Sequence, residues 1–189
     1  MTGVYWVIGI VVLVMLYAVV TYNGLVARRE RVRNAWAQVD VQLKRRYDLI
    51  PNLVNTAKAY AKHERETFEE ITRARVQAIA ASSPQEAGGA ESKLSSTLRT
   101  LFAVAENYPE LKADANFRQV QQELSDAESK IAYARQFYND TVQKFNIRVQ
   151  AFPASLLAGA FGFEREAFFD LQERTQEREA VRVDFSSRE

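Results

Sequence analysis

The chain has 189 residues, with 25 Lys and Arg against 24 Asp and Glu, so its net charge is close to zero. This balance argues against a nucleic-acid-binding protein, which needs a clear basic excess. The absence of cysteine excludes disulfide bonds and thiolate chemistry, while 7 glycines, 4 prolines and 26% charged residues favour long helices.

The first predicted element is a membrane-spanning helix. No residue from Thr2 to Ala27 carries a charge, and most of this stretch is apolar. About 20 such residues cross a bilayer as a helix, and Trp6 and Tyr22 lie near its ends, as interfacial aromatic residues do. A cleaved signal peptide would need basic residues before the apolar run and a cleavage site after it, and neither is present. We therefore predict an N-terminal segment over 1–27, with residues 4–22 inside the lipid bilayer.

The charges that flank this span predict its orientation. No Lys or Arg precedes it, whereas Arg28, Arg29, Arg31 and Arg33 follow it directly. The positive-inside rule places the basic side of a span in the cytoplasm. We therefore expect a single-pass protein with its N-terminus outside and the rest of the chain in the cytoplasm.

A long helix is predicted over about 28–81, continuous with the membrane span. Its large apolar residues recur every three or four positions, which is a heptad-like stripe. The stripe crosses Pro51 without losing phase. Proline lacks the N–H that a helix uses, so it bends or breaks helices. Because the phase persists, we predict that Pro51 bends the helix and does not end it.

Three further helices are predicted after the long one. A loop rich in Pro, Gly and Ser occupies 82–92, Pro109 interrupts the chain after the next helix, and Asp114 or Asn116 is suited to cap the following one. The predicted helices cover about 91–107, 115–152 and 155–170.

These elements predict an all-α fold. The membrane helix continues into an elongated antiparallel helical bundle over 28–171, of the up-and-down four-helix type, with three long or medium helices and a short fourth. The remaining residues, 172–189, are polar and charged, and we expect a flexible tail there.

One group of side chains has the residue types of a metal site. His63 is the only histidine, and Glu66 and Glu70 follow it at helical spacing. Di-iron bundles need a matching Glu-x-x-His pair from a second helix, and no second histidine exists. The sequence also lacks phosphate-binding glycine loops. We predict a non-enzymatic protein without a cofactor or a bound metal.

A polar cluster surrounds the proline of the long helix. One interpretation is ordinary surface ion pairing, for which Asp40 and Lys44 have the favourable i,i+4 spacing. The other is that these residues bind a partner or fix the bend where the proline disturbs the helix. Both interpretations stay open. The candidate partner-binding residues are Arg45, Arg46, Asp48, Pro51, Asn52 and Asn55.

Four stretches of the sequence resemble the LemA family of bacterial membrane proteins. They are AWAQVDVQLKRRYDLIPNLVNTAKAYAKHE at 35–64, ARQFYNDTVQKFNIRVQAFP at 134–153, FGFEREAFFDL at 161–171 and REAVRVDF at 178–185. The resemblance implies one N-terminal helix in the bacterial plasma (inner) membrane and a cytoplasmic antiparallel bundle, usually described as four-helical. A similar protein takes part in building magnetosome membranes, and the resemblance implies no catalytic residue.

Two functions fit these features of the sequence. The first is a membrane-tethered scaffold that binds the bilayer, unidentified membrane or cytoplasmic proteins, or copies of itself, since heptad stripes favour self-association. The second is an accessory component of a membrane signalling or stress-response pathway, which transmits its state along the first helix through Pro51. No nucleic-acid partner is expected in either case.

Overall fold

The computed structural model describes residues 2–171, so the predicted tail at 172–189 and the REAVRVDF stretch lie outside the described residues. Within them, 85% of residues are helical and none forms a strand, which confirms the all-α class. The helices are α1 (Thr2–Tyr60), α2 (Arg65–Ala80), α3 (Pro84–Ala105), α4 (Pro109–Ala113), α5 (Ala115–Gln150) and α6 (Ala154–Ala160).

The described residues form two compact units. The first unit contains residues 2–49 with 120–168, and the second contains residues 50–119 with 169–171. Helices α1 and α5 contribute residues to both. The antiparallel four-helix arrangement of the whole chain stays a prediction.

In the first unit, α1 changes character at Thr21. Almost every side chain before Thr21 is exposed although nearly all are apolar, and from Thr21 onward buried side chains recur at helical spacing. Burial of each large apolar side chain stabilises the fold by about 1.5–3 kcal/mol. The buried core of this unit includes Leu25, Val32, Val39 and Leu43 of α1 and Ile131, Tyr138, Val142 and Phe145 of α5.

In the second unit, α2 packs against α3. The buried face of α2 carries Phe68 and Ile71, and that of α3 carries three leucines four or three residues apart. The rings of Phe102 and Phe117 meet edge to face with their centres 6.2 Å apart, a favourable aromatic geometry. The α3 leucines are Leu94, Leu98 and Leu101.

The prediction of one helix over 28–81 is wrong at its C-terminal third. Helix α1 continues through Pro51 but ends at Tyr60, and α2 begins at Arg65 after a short turn. The apolar phase continues across the turn, which contains no Gly or Pro, so the local pattern gives no stop signal. Tertiary contacts fix the turn, since the Tyr108 hydroxyl donates a 3.0 Å hydrogen bond to Glu64 Oε1. Whether Pro51 bends α1 stays a prediction.

The predicted loop over 82–92 is also wrong, because α3 begins at Pro84. The Ser83 hydroxyl accepts a 3.2 Å hydrogen bond from the Glu86 N–H, and the Glu86 carboxylate accepts hydrogen bonds from Ser82. Proline at the first helical position and Ser with Glu three residues later are helix-start signals. Gly88 lies inside this helix, where an added Cβ would collide with the backbone carbonyl of Asp170.

The fourth helix is shorter than the predicted 155–170. Helix α6 covers Ala154–Ala160, and Gly162 then adopts a left-handed conformation with φ of 68°. Glycine accepts this conformation without a Cβ penalty and so ends the helix. Residues 163–171 are not helical, although Phe163 and Phe169 are buried. The segment around Pro109, where the sequence predicts an interruption, contains the one-turn helix α4.

Candidate functional site

The six candidate partner-binding residues all lie on α1 and differ in exposure. In the first unit, Arg45 and Asp48 are exposed, whereas Arg46 is only 5% exposed. In the second unit, Pro51, Asn52 and Asn55 are exposed. Arg46 therefore contributes to the packing of the first unit, and the other five positions are accessible to a partner.

The weak metal candidate loses its geometry. His63 lies in the turn between α1 and α2, while Glu66 and Glu70 lie on α2, so the three residues do not share one helix. A common helical face was the reason for grouping them. Within residues 2–171, no group of three or more His, Cys, Asp or Glu side chains could hold a metal ion.

The first unit holds the chain after α6 through side chains of α5. Asn146 donates a 2.8 Å hydrogen bond to the Glu166 carbonyl and accepts one of 2.8 Å from the Glu166 N–H. The Tyr138 hydroxyl donates a 2.8 Å hydrogen bond to the Ala167 carbonyl. Asn146 thus satisfies both backbone groups of Glu166, as a neighbouring strand would in a sheet.

Tyr138 also packs laterally against α1. Its ring centre lies 5.3 Å from that of Trp36, and burial together with the nearby Glu166 charge raises the pKa of Tyr138 to about 12. The phenol therefore stays protonated at neutral pH and remains a hydrogen-bond donor to Ala167. These contacts join the two sequence stretches 134–153 and 161–171.

An aromatic cluster lies where the apolar part of α1 ends. The ring of Tyr22 is 4.9 Å from that of Phe161 and 5.8 Å from that of Phe163, both edge to face. The guanidinium carbon of Arg29 lies 4.9 Å from the centre of the Phe163 ring, a cation–π contact. Phe161 and Phe163, which directly follow α6, therefore pack beside the boundary of the predicted membrane span.

A groove in the first unit exposes apolar side chains between α1 and α5. It measures about 600 Å³. Val41, Tyr133 and Phe137 are all exposed there, and Tyr133 and Phe137 are neighbours at i,i+4 on α5. We call it the apolar groove, lined by Ala37, Gln38, Val41, Gln42, Lys130, Tyr133, Ala134 and Phe137.

A second groove, in the second unit, has a basic rim. It measures about 830 Å³, and its floor includes the buried ring of Phe68. Lys58 lies 5.9 Å from the centre of that ring, and Arg65 forms a 2.6 Å ion pair with Glu69, which lowers the pKa of Glu69 through the hydrogen bond and the charge of Arg65. The cations on its rim are Lys58, Lys62, Arg65 and Arg73.

No local feature of the sequence indicates the role of Asn146 or the apolar groove. Asn146 is only 4% exposed, but its burial is a property of the structure and cannot be read from the sequence. Its partner, the backbone of Glu166, lies 20 residues further along the chain. Val41, Tyr133 and Phe137 fall outside the main apolar stripes, and single exposed apolar residues are common on soluble surfaces. Only their proximity in space makes a surface.

The fold defines a class: an all-helical protein whose N-terminal helix is long and apolar enough to cross a membrane, by its length and composition. Its exposed apolar surface supports a membrane protein. The chain belongs to the LemA family, whose family model matches residues 35–185.

Named relatives agree with this assignment. The chain is similar to Magnetosome protein MamQ 1 and MamQ 2 of Paramagnetospirillum magneticum (strain ATCC 700264 / AMB-1), each 24% identical over 174 residues that cover 78% of this chain and 64% of the relative. It is also similar to Protein LemA of Metamycoplasma hominis, 26% identical over 155 residues that cover 80% of this chain and 69% of that protein. The chain thus spans 64% of the length of the magnetosome relatives it matches.

Proposed function

We infer that this protein is a membrane-anchored, non-enzymatic scaffold that binds a helix of a partner protein in the apolar groove. The exposure of Val41, Tyr133 and Phe137 beside one another carries this proposal. A partner helix with apolar residues at i, i+3 or i+4, and i+7 would remove these side chains from water. The anchor would keep the partner at the inner face of the plasma membrane.

Photo-cross-linking in native membranes tests the groove. A photoreactive phenylalanine analogue replaces Tyr133, and a matched variant carries it at Glu128, which is exposed on the same helix outside the groove. We expect discrete adducts from position 133 at several times the yield from position 128. Adducts should fall when Phe137→Ser is added. Equal yields at the two positions would contradict the proposal.

The polar residues of α1 are a second candidate surface for the same function. Arg45 and Asp48 are exposed in the first unit, and Asn52 and Asn55 in the second. Alanine substitution of each pair, with helicity checked by circular dichroism, asks whether a partner found by cross-linking still binds. If both folded variants retain the partner fully, these residues do not contribute to its site.

An accessory role in membrane signalling or stress response is the second candidate function. It is supported by the continuity of α1 from Thr2 to Tyr60, which joins the apolar end to the second unit through Pro51. A strain lacking the protein would then differ from wild type under envelope stress, and Pro51→Ala would restore the response only in part. Full restoration by Pro51→Ala would argue against transmission through Pro51.

A further inference from the structure

The segment around α6 exposes large apolar side chains and carries no charge. No Asp, Glu, Lys or Arg lies between Arg148 and Glu164. Phe152, Leu156 and Phe161 are 80%, 67% and 57% exposed. We call residues 149–163 the interfacial segment.

Within the interfacial segment, small and large residues face opposite ways. Ala154 and Ala158, four residues apart, are buried against the first unit, whereas Leu156 is exposed between them. Small buried residues bring α6 close to the rest of the unit, and the large side chains remain on its outer side. In water each exposed apolar side chain would forgo burial worth about 25 cal/mol per Å².

The position of this segment indicates what covers it. Phe161 contacts Tyr22, the aromatic residue at the end of the apolar part of α1, and Phe163 contacts both Tyr22 and Arg29. Aromatic rings and basic residues at the end of a span lie at the level of the lipid headgroups. Phe161, at the C-terminal end of α6, therefore lies beside the place where the apolar part of α1 ends.

We propose that the interfacial segment inserts Phe152, Leu156 and Phe161 into the headgroup region of the bilayer that α1 crosses, as a second membrane contact of the same chain. This inference rests on the membrane anchor of the proposed function. Arg28 and Arg31, both exposed beside the same boundary, attract anionic headgroups. Lipid fits better than a protein partner because the segment lacks the charged or polar rim that surrounds the apolar centre of a protein interface.

Site-specific fluorescence tests the proposal on the full chain. Because the chain contains no cysteine, Leu156→Cys places a single label, a polarity-sensitive fluorophore, on the exposed side of α6. The protein is reconstituted into vesicles of phosphatidylcholine and phosphatidylglycerol with nitroxide lipids. We expect a blue-shifted emission and a several-fold stronger quenching by a nitroxide near the headgroup than by one near the bilayer centre.

Two matched variants separate the possible results. Tyr133→Cys places the label on an equally exposed apolar position of the first unit away from Tyr22, and it should not be quenched. Leu13→Cys places the label in the span and should be quenched by the deep nitroxide. If position 13 is quenched and position 156 is not, the inference is overturned and the anchor stands.

The remaining outcomes also decide the question. If position 13 escapes quenching, both the anchor and the inference are overturned. If the label at position 156 is blue-shifted but not quenched by any lipid, a second protein copy covers α6, and the lipid contact is overturned. Circular dichroism of each labelled variant confirms that the helices are retained.

Discussion

At the residue scale, removal of the Asn146 side chain should lower the stability of the fold. Its amide makes both hydrogen bonds to the backbone of Glu166. Asn146→Ala leaves a part-buried N–H and C=O without these partners, which costs about 1–3 kcal/mol. We expect a lower Tm in detergent and faster proteolysis within residues 164–168.

Two comparisons make this prediction specific. Asn55→Ala changes an exposed amide and should leave Tm nearly unchanged. Asn146→Asp keeps an acceptor for the Glu166 N–H but loses the donor to the Glu166 carbonyl, so it should also lower Tm. A Tm equal to wild type for Asn146→Ala would show that water replaces the amide at no cost.

Gly88 is the second residue whose environment forbids substitution. An added Cβ would meet the backbone carbonyl of Asp170. Gly88→Ala must displace that backbone or bend α3, and overpacking of this kind costs about 1–3 kcal/mol. The matched variant is Gly159→Ala, where nothing lies within 4 Å of the new Cβ, and helix propensity favours alanine by up to about 1 kcal/mol. Thermal unfolding should therefore move in opposite directions, and a stabilising Gly88→Ala would contradict the close approach.

These residues differ in whether their roles can be predicted from the neighbouring sequence. Asp114 or Asn116 was predicted as the helix cap from residue type and position, and the Phe117 N–H donates a 2.9 Å hydrogen bond to Asp114 Oδ1. Gly88 and Asn146 were missed because their partners, Asp170 and Glu166, are distant along the chain. A local signal identifies a cap, whereas it does not identify a side chain that binds remote backbone.

At the element scale, the spacing of apolar residues predicted where a helix continues but did not predict where helices begin and end. The apolar period predicted that α1 would continue through Pro51, and it does. The same spacing gave no sign that α1 ends at Tyr60. The apolar spacing continues through the turn, which contains no Gly or Pro and is held by the hydrogen bond from Tyr108 to Glu64. The start of α3 was missed for the opposite reason, because Pro84 was taken as a loop residue although proline is favoured at the first helical position.

The start of α5 should depend on pH through Asp114. The Phe117 N–H, and then the Tyr60 hydroxyl, hydrogen-bond to this carboxylate and hold its pKa below the usual value. A lowered folded pKa gives stability that is complete above the unfolded pKa, about 3.9, and is lost as the pH falls through the folded pKa.

Thermal unfolding at a series of pH values measures this effect. Wild type should lose Tm as the pH falls below about 4, partly because Asp114 gains a proton. Asp114→Asn keeps an oxygen that caps the helix but does not ionise, so its Tm should fall less steeply over the same range. An identical acid slope in the two proteins would show that Asp114 does not contribute. Glu110→Gln, an exposed carboxylate one helix turn earlier, is the control.

At the scale of the whole molecule, the exposed apolar start of α1 indicates a membrane protein. The apolar side chains before Thr21 are exposed, and those after it are buried at helical spacing. A protein in water does not leave about 20 consecutive apolar residues uncovered, whereas a bilayer covers them. The sequence predicted this boundary near Tyr22 because charge and hydropathy are local properties. The apolar groove was not predictable, because its sides come from residues about a hundred positions apart.

Orientation across the membrane is a separate prediction, and it follows from the arginines that begin at Arg28. Translocating these cations would be costly, so the positive-inside rule predicts the N-terminus outside. In intact cells, a membrane-impermeant maleimide should label Gly3→Cys, which is exposed with nothing within 4 Å of its Cβ. It should label Ser96→Cys, exposed on α3, only after permeabilisation, because the second unit would lie in the cytoplasm. Labelling of Ser96→Cys in intact cells would reverse the orientation and place both grooves on the opposite side of the membrane, away from cytoplasmic partners.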